Sequence, residues 1–150
     1  MDVRPYEHSD RPACLAVCES LTPGLLAPAA FPLFEAWLEK LARPYFVMEH
    51  EESVVGCGGY SFSPDGTAAT LQWGMVHRNA QKMGLGRFLL LYRIREIGKA
   101  GAASLVFAHA PRASAGFFEK QGFRVNGIEQ DGYGPGFDSV ELIKKLTVCS

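Results

Sequence analysis

The sequence predicts a mixed α/β fold, in which helices cover both faces of a mainly antiparallel sheet of about seven strands with one β-α-β crossover. Apolar patterns place the elements in the order β-α-α-β-β-β-α-β-α-β-β, which is not the strict strand–helix alternation of a doubly wound sheet. The length of 150 residues is typical of one domain, covering residues 1–150. A domain of this size buries enough surface to hold its core without a disulfide or a metal.

The first half of the chain is expected to form a strand, two helices and an antiparallel meander. Pro12 falls in the first turn of the first helix, where proline is favoured. The tripeptide Pro64-Asp65-Gly66 predicts a tight turn before the last strand of the meander. The predicted strands are 3–6, 45–49, 53–60 and 67–76, and the predicted helices are 10–20 and a segment after Pro28.

The second half is expected to contain the crossover and a carboxyl-terminal hairpin. An amphipathic helix is predicted over 84–100, with a buried stripe of Leu85, Phe88, Leu89 and Tyr92. The continuous apolar run 104–108 predicts a strand that is buried on both faces. The remaining predicted elements are a helix over 113–121 closed by Gly122, strands over 123–130 and 140–146, and a glycine-rich loop over 131–136 between them.

Composition and charge exclude several classes of protein. The chain is 47% hydrophobic and 21% charged, with a net charge of −1, which argues against a disordered chain and a dedicated nucleic-acid binder. No apolar run approaches the length of a membrane-spanning helix, and the amino terminus lacks an apolar signal core, so we expect a soluble cytoplasmic protein. The four cysteines, Cys14, Cys18, Cys57 and Cys149, are too sparse for a disulfide scaffold. Cys14, Cys18 and Cys57 are interpreted as core residues without a metal.

The segment from Gln81 to Arg87 follows a predicted strand and opens a predicted helix. Gly84 and Gly86 allow the backbone to approach a ligand closely, and the free N–H groups of a helix start attract phosphate. A Walker loop is excluded because no Gly-Lys-Ser/Thr triplet occurs. The dinucleotide fingerprint is also incomplete, since Leu89 stands where its third glycine belongs.

This segment resembles the acyl-CoA-binding motif of the GNAT superfamily of N-acetyltransferases, Arg/Gln-x-x-Gly-x-Gly/Ala. A second segment, from Phe117 to Phe123 (FFEKQGF), is similar to the Leu/Phe-Tyr-Glu-Lys-x-Gly-Phe segment of the same family. The two motifs stand in the family's order and separation, and the predicted element order is also that of the family. The resemblance therefore covers essentially the whole chain and implies a single GNAT-like domain.

The resemblance implies that acetyl-CoA is the cosubstrate and that the motif residues hold it. The strand residues Gly74, Met75 and Val76 are expected to pair with the pantetheine arm, and the Val76 N–H is expected to stabilise the oxyanion formed on attack. The remaining residues expected to bind the cofactor are Gln81, Lys82, Met83, Gly84, Leu85, Gly86 and Arg87, around the pyrophosphate, together with Ser114, Phe117 and Phe118.

The sequence departs from the family at the positions of acid–base chemistry. Phe118 replaces the tyrosine that usually protonates the leaving thiolate, and Pro111 and Val106 stand at positions where some members have Asn and Glu. Two substitutes are proposed from the sequence. Tyr133 supplies a phenol from the last loop, and His109 follows the crossover strand, where a histidine could act as a base or proton relay. His77 is a weaker candidate, and Gln72 and Trp73 are candidates for the acceptor pocket.

The acceptor itself is not identified by the sequence. In the family, the loops corresponding to 22–28 and 131–138 determine acceptor specificity, and here they lack an acidic cluster that would favour a polyamine. The expected function is acetyl transfer from acetyl-CoA to a primary amine in a ternary complex, by a monomer or homodimer. The alternatives are a non-catalytic CoA-binding sensor or interaction module and, less favoured, a nucleotide-binding module.

Overall fold

The protein is represented by a computed structural model that describes residues 2–42, 44–81 and 83–146. The predicted order of strands and helices is confirmed, although several boundaries differ from the predictions by a few residues. The elements are β1 (Asp2–Pro5), α1 (Arg11–Ser20), α2 (Ala30–Glu39), β2 (Tyr45–His50), β3 (Ser53–Phe62), β4 (Ala68–Val76), α3 (Leu85–Ala100), β5 (Leu105–Pro111), α4 (Arg112–Lys120), β6 (Arg124–Glu129) and β7 (Ser139–Lys145).

The seven strands form one sheet in the order β1-β2-β3-β4-β5-β7-β6. All neighbours are antiparallel except β4 and β5, which are parallel and are connected through the crossover helix α3. The parallel pairing spans only three residue pairs and ends at Thr70 and Phe107. Beyond that point β4 stays paired to β3 as far as Val76, and β5 stays paired to β7 as far as Pro111. A gap therefore opens between the carboxyl-terminal halves of the two central strands.

Helices cover both faces of the sheet, as predicted. On one face α1 and α2 pack against β2, β3 and β4 around Phe34, Val47 and the buried thiols of Cys14, Cys18 and Cys57. On the other face α3 and α4 pack around residues such as Leu90, Ile97, Val106 and Leu142. None of the helices in the described ranges has the length and apolar character needed to cross a membrane.

The buried stripe of α3 differs from the prediction. Leu85 and Leu89 are buried, but Phe88 is 40% exposed and Tyr92 is only partly buried, at the edge of the core. The buried positions instead continue at a spacing of four residues, through Arg93 to Ile97, which keeps them on one face of a helix. The apolar pattern missed this register because a charged residue occupies one of its buried positions.

The strand β5 also differs from the prediction, since it is longer and is not buried on both faces. It continues three residues beyond the predicted end, to Pro111, so His109 lies within it. Val106, Ala108 and Ala110 are buried, whereas the side chain of His109 on the opposite face is 44% exposed. The core between the sheet and helices α1 and α2 contains residues of β2, β3 and β4, but none of its described residues belongs to β5. This face of β5 is therefore left partly exposed.

A charged network fixes the start of the first helix to the edge of the sheet. Asp10 is 7% exposed, and its two carboxylate oxygens accept hydrogen bonds from the two terminal nitrogens of Arg4, each at 2.8 Å. It also accepts the backbone N–H of Glu7 at 2.8 Å, and the Nε of Arg4 donates to Glu49 at 2.8 Å. The hydrogen bond from Arg4 holds the pKa of Asp10 below its ordinary value.

We expect Asp10→Asn to lower the free energy of unfolding by about 2 kcal/mol at pH 7. Because the pKa of Asp10 is lower in the folded state than in the unfolded state, its contribution is fully present above the unfolded pKa. It is lost as the pH falls below about 4. Urea unfolding at pH 7 and pH 3 checks this, with Asp2→Asn on the exposed edge of β1 as the control. An equal loss of stability at both pH values would contradict the assignment.

Candidate active site

The gap between β4 and β5 forms a cleft of about 580 Å³. Ten of the residues predicted to bind the cofactor line it: Gly74, Met75, Val76, Gln81, Gly84, Gly86, Arg87, Ser114, Phe117 and Phe118. Of the other three, Lys82 lies outside the described residues. The side chains of Met83 and Leu85 are not part of the wall, since Met83 is half exposed and Leu85 is buried in the core. The cleft thus brings together both sequence motifs and the central strand.

The start of α3 presents main-chain donors to one end of this cleft. Gly84 precedes the helix with a φ of +76°, a left-handed conformation that favours glycine. The first helical hydrogen bond is donated by Phe88 to the Gly84 carbonyl at 3.1 Å. The N–H groups of Leu85, Gly86 and Arg87 precede it in the helix and have no helical acceptor. Together with the helix dipole, they make this end of the cleft suitable for a phosphate group.

Gly86 leaves space in the cleft that a side chain would fill. A Cβ atom at this position would lie 3.7 Å from the ring of Phe117 and 3.8 Å from Cγ2 of Val76, which are ordinary contact distances. A longer side chain would therefore extend between α4 and the end of β4. The glycine keeps the passage from the helix start to the central strand open.

The main chain of Val76 faces the cleft rather than the neighbouring strand. His77 donates its N–H to the Val55 carbonyl on β3 at 2.7 Å, so the adjacent pair of Val76 and Gly56 is a non-hydrogen-bonded pair of the antiparallel ladder. The N–H and C=O of Val76 consequently point away from β3. The carbonyl accepts the side-chain amide of Gln81 at 3.1 Å, which leaves the N–H directed into the gap.

A β-bulge lies in β4 next to the gap. Between the pairs Gln72–Gly59 and Met75–Cys57, the two residues Trp73 and Gly74 on β4 stand opposite one residue of β3. Trp73 has a φ of +45°, and its carbonyl accepts the hydroxyl of Tyr45 at 2.8 Å. This buried tyrosine holds the bulge in place from the α1–α2 side, and Gly74 is left facing the cleft.

Arg93 lies on the opposite side of the bulge and was not predicted as a site residue. Its side chain extends from the middle of α3, is 4% exposed and forms part of the cleft wall. A sequence signal for it exists. It lies four residues after Leu89 and four before Ile97, so a charged residue occupies the buried stripe of an amphipathic helix.

His109 forms a hydrogen-bonded chain with two residues that the sequence analysis missed. Its Nε2 lies 3.1 Å from Oε2 of Glu141, and Oε1 of Glu141 accepts the amide of Asn126 at 2.7 Å. These hydrogen bonds, that of Asn126 first, hold the pKa of Glu141 below its ordinary value. Glu141 is the direct partner of His109 across the β5–β7 ladder, a register that the sequence does not specify. The carboxylate therefore orients the imidazole.

A second cavity of about 430 Å³ adjoins the cleft on the α1–α2 side. The two share wall residues that include Trp73, Gly74, Met75 and His109. Tyr133 lines the second cavity, and burial raises the pKa of its phenol. The remaining wall is mostly apolar and aromatic, contains no acidic residue among those described, and includes Leu25, Leu26, Leu33, Trp37, Thr70 and Gln72.

The structure places the remaining sequence candidates as follows. The side chain of His77 accepts the N–H of Asn79 at 3.1 Å and caps a short 3-10 turn. Ser114 is the third residue of α4, whose N-cap position is Pro111, and it lines the cleft. Phe118 contacts Phe123 in the core with ring centroids 5.4 Å apart. In the described ranges no group of three or more His, Cys, Asp or Glu side chains is arranged to hold a metal.

Comparisons with known proteins agree with this geometry. A model of the acetyltransferase (GNAT) family matches residues 14–123 of the chain, while no curated protein sequence matches significantly. The ribosomal-protein-alanine N-acetyltransferase of Brucella melitensis is 26% identical, with a TM-score of 0.78 over 97% of this chain and 100% of its own.

Two further solved structures share the fold at lower identity. The ribosomal-protein-S18-alanine N-acetyltransferase of Escherichia coli is 19% identical, with a TM-score of 0.79 over 99% of this chain and 96% of its own. An aminoglycoside 6′-N-acetyltransferase in complex with coenzyme A is 13% identical, with a TM-score of 0.79 over 100% and 99% of the two chains. Since the family model spans most of its length, the chain belongs to the GNAT family and is an acetyl-CoA-dependent N-acetyltransferase.

Proposed function

We propose that the enzyme transfers the acetyl group of acetyl-CoA directly to a primary amine while both substrates are bound. The observation that carries this proposal is the junction of the two cavities at Trp73, Gly74, Met75 and His109. A donor in the cleft and an acceptor in the second cavity would meet there. Direct attack requires first that the amine and the thioester be held together in the correct orientation.

In this proposal the chain holds acetyl-CoA mainly through its backbone. The free N–H groups at the start of α3 bind the pyrophosphate, and the exposed edge of β4 from Gly74 to Val76 pairs with the pantetheine arm. Ser114, Phe117 and Phe118 on α4 close the other side of the cleft. The N–H of Val76, which points into the gap, donates to the thioester oxygen as negative charge develops on it.

His109 is proposed to take up the proton that the amine must lose. An alkyl amine is mostly protonated at neutral pH, and it attacks only as the free base. If Nε2–H of His109 donates to Glu141, its Nδ1 atom is left as a proton acceptor. Glu141 fixes this tautomer and is a positioning residue.

Tyr133 is proposed to act as a hydrogen-bond donor from the second cavity, which we call the acceptor cavity. An ordinary phenol has a pKa of about 10 and an ordinary thiol one of about 8.5, so transfer of the phenol's proton to a thiolate would run uphill. Burial raises the pKa of Tyr133 further. The phenol therefore keeps its proton at neutral pH. It lies where it can orient the acceptor, and Phe118 has no proton to donate.

The acceptor is proposed to be a primary amine attached to an apolar or aromatic group. This follows from the aromatic wall of the second cavity, formed by Trp37, Trp73 and Tyr133, and from the absence of an acidic residue among its described wall residues. A polyamine would leave extra cationic groups there without partners. The 26% identical relative is a ribosomal-protein-alanine N-acetyltransferase, so an alanine-terminated peptide is the second candidate acceptor.

The function is tested by measuring thiol release from acetyl-CoA with four kinds of acceptor. These are an arylalkyl monoamine such as phenethylamine, a peptide with amino-terminal alanine, spermidine and an aminoglycoside. We expect kcat/KM for the arylalkyl amine to exceed that for spermidine at least about tenfold. Turnover confined to spermidine would contradict the proposed acceptor. Tight acetyl-CoA binding without turnover of any amine would favour the alternative of a CoA sensor.

We expect Gly86→Glu to abolish acetyl-CoA binding, because the new carboxylate would occupy the cleft beside the pyrophosphate. Gly98→Glu is the matched control. It places the same side chain on the same helix, at a glycine whose Cβ would contact nothing within 4 Å. Calorimetry of both variants, after circular dichroism has established folding, gives the result. Wild-type affinity in Gly86→Glu would remove the helix start from the binding site.

We expect His109→Gln to lower kcat more than Tyr133→Phe does. Loss of the base should lower kcat by about 100-fold and flatten the acidic limb of the pH profile. Loss of a hydrogen bond alone should cost about tenfold or less. Steady-state kinetics between pH 6 and 9 distinguish the two. A loss of about 100-fold in Tyr133→Phe with unchanged acetyl-CoA affinity would instead identify the phenol as the proton donor.

A further inference from the structure

Arg93 is a buried cation whose charge no neighbouring side chain in the described part of the chain neutralises. Its Nη1 donates to the Gly59 carbonyl at 3.3 Å, and its buried Nε has no hydrogen-bond partner. No carboxylate in the described ranges lies within 4 Å of the guanidinium. Burying an unpaired charge is costly, so the position calls for an explanation beyond packing.

The groups around Arg93 do not remove this charge. Burial lowers the pKa of Arg93 to about 10, which leaves the guanidinium protonated at neutral pH. Tyr45 and Cys57 are the titratable side chains near it, and burial raises the pKa of Tyr45 well above its ordinary value, so that phenol is neutral. The chain therefore maintains a positive charge next to the cleft.

The bulge in β4 allows this charge to approach the reacting end of the cleft. A Cβ atom on Gly74 would lie 2.6 Å from Nη2 of Arg93, and one on Gly58 would lie 3.0 Å from its Cζ. A side chain at Gly74 would therefore force the guanidinium to move, and one at Gly58 would require it to shift by a few tenths of an ångström. Gly74 is also where the cleft meets the acceptor cavity, so the cation lies beside that junction.

We propose that Arg93 stabilises the CoA thiolate as it leaves, an inference that rests on the proposed function. The amine nitrogen forms a bond to the carbonyl carbon, and an electron pair moves onto the oxygen. When that pair returns, the carbon–sulfur bond breaks and its electrons stay on sulfur. An amine that arrives protonated loses one proton to His109 and solvent before it attacks, and the nitrogen loses a second proton by the same route after attack. The neutral amine and the thioester thus give the amide, the thiolate and one proton. The positive charge of Arg93 stabilises the leaving thiolate in place of a proton donor.

The test measures the ionisation of CoA bound to the protein, which does not depend on an acceptor. The thiolate is followed by its ultraviolet absorbance during a pH titration, as a difference from the same protein without CoA. We expect the wild type to hold at least about tenfold more thiolate at pH 7 than free CoA does. Arg93→Met should bring the ratio back to that of free CoA. Calorimetry with CoA establishes the fraction of the variant that is bound, so that the thiolate ratio is compared at equal occupancy.

Arg95→Met is the matched control, since Arg95 lies on the same helix but is exposed, and it should behave as the wild type. Arg93→Met should fold with an unchanged or higher melting temperature, because an unpaired buried charge has been removed. If it does not fold, Arg93→Gln takes its place. The proposal is overturned if CoA bound to the wild type holds no more thiolate at pH 7 than free CoA does. It is also overturned if the raised thiolate fraction persists in the Arg93 variant. Failure of the wild type to bind CoA at all would instead overturn the proposed function.

Discussion

The separation of β4 from β5 after three parallel pairs is the feature on which the rest of the site depends. A sheet normally satisfies the N–H and C=O groups of every inner strand, and leaving such groups unpaired in a protein interior is costly. Here the edges of both central strands remain open to a cleft. The backbone donor at Val76 and the start of α3 lie along that opening. In the proposed complex, an acyl-CoA arm supplies the partners that the neighbouring strand would have provided.

Several contacts hold the opening in shape. The bulge at Trp73 and Gly74 moves β4 away from its neighbour, and the hydroxyl of Tyr45 fixes the bulge from one side of the sheet. On the other side, the Arg93 guanidinium occupies the space that two glycines leave free. The site is therefore built from main chain and buried groups, which are already positioned before a substrate arrives.

The element order and both motifs were readable from the sequence, because they depend on local patterns. Gly84 and Gly86 marked the helix start, and their position in the structure confirms that prediction. The pairing of His109 with Glu141 was not predictable, since it depends on the register between two strands far apart in sequence. Arg93 was missed because apolar periodicity assigns charged residues to the surface, and here tertiary structure overrides that rule.

The steric relation between Gly74 and Arg93 has a consequence for the evolution of this protein. Any side chain at position 74 would collide with the guanidinium, and a much smaller residue at position 93, such as alanine, would leave a void beneath the bulge. Neither position is free to drift while the other stays fixed. Among homologous chains, the two are expected to covary, with arginine in the middle of the crossover helix restricted to those that retain glycine in the bulge.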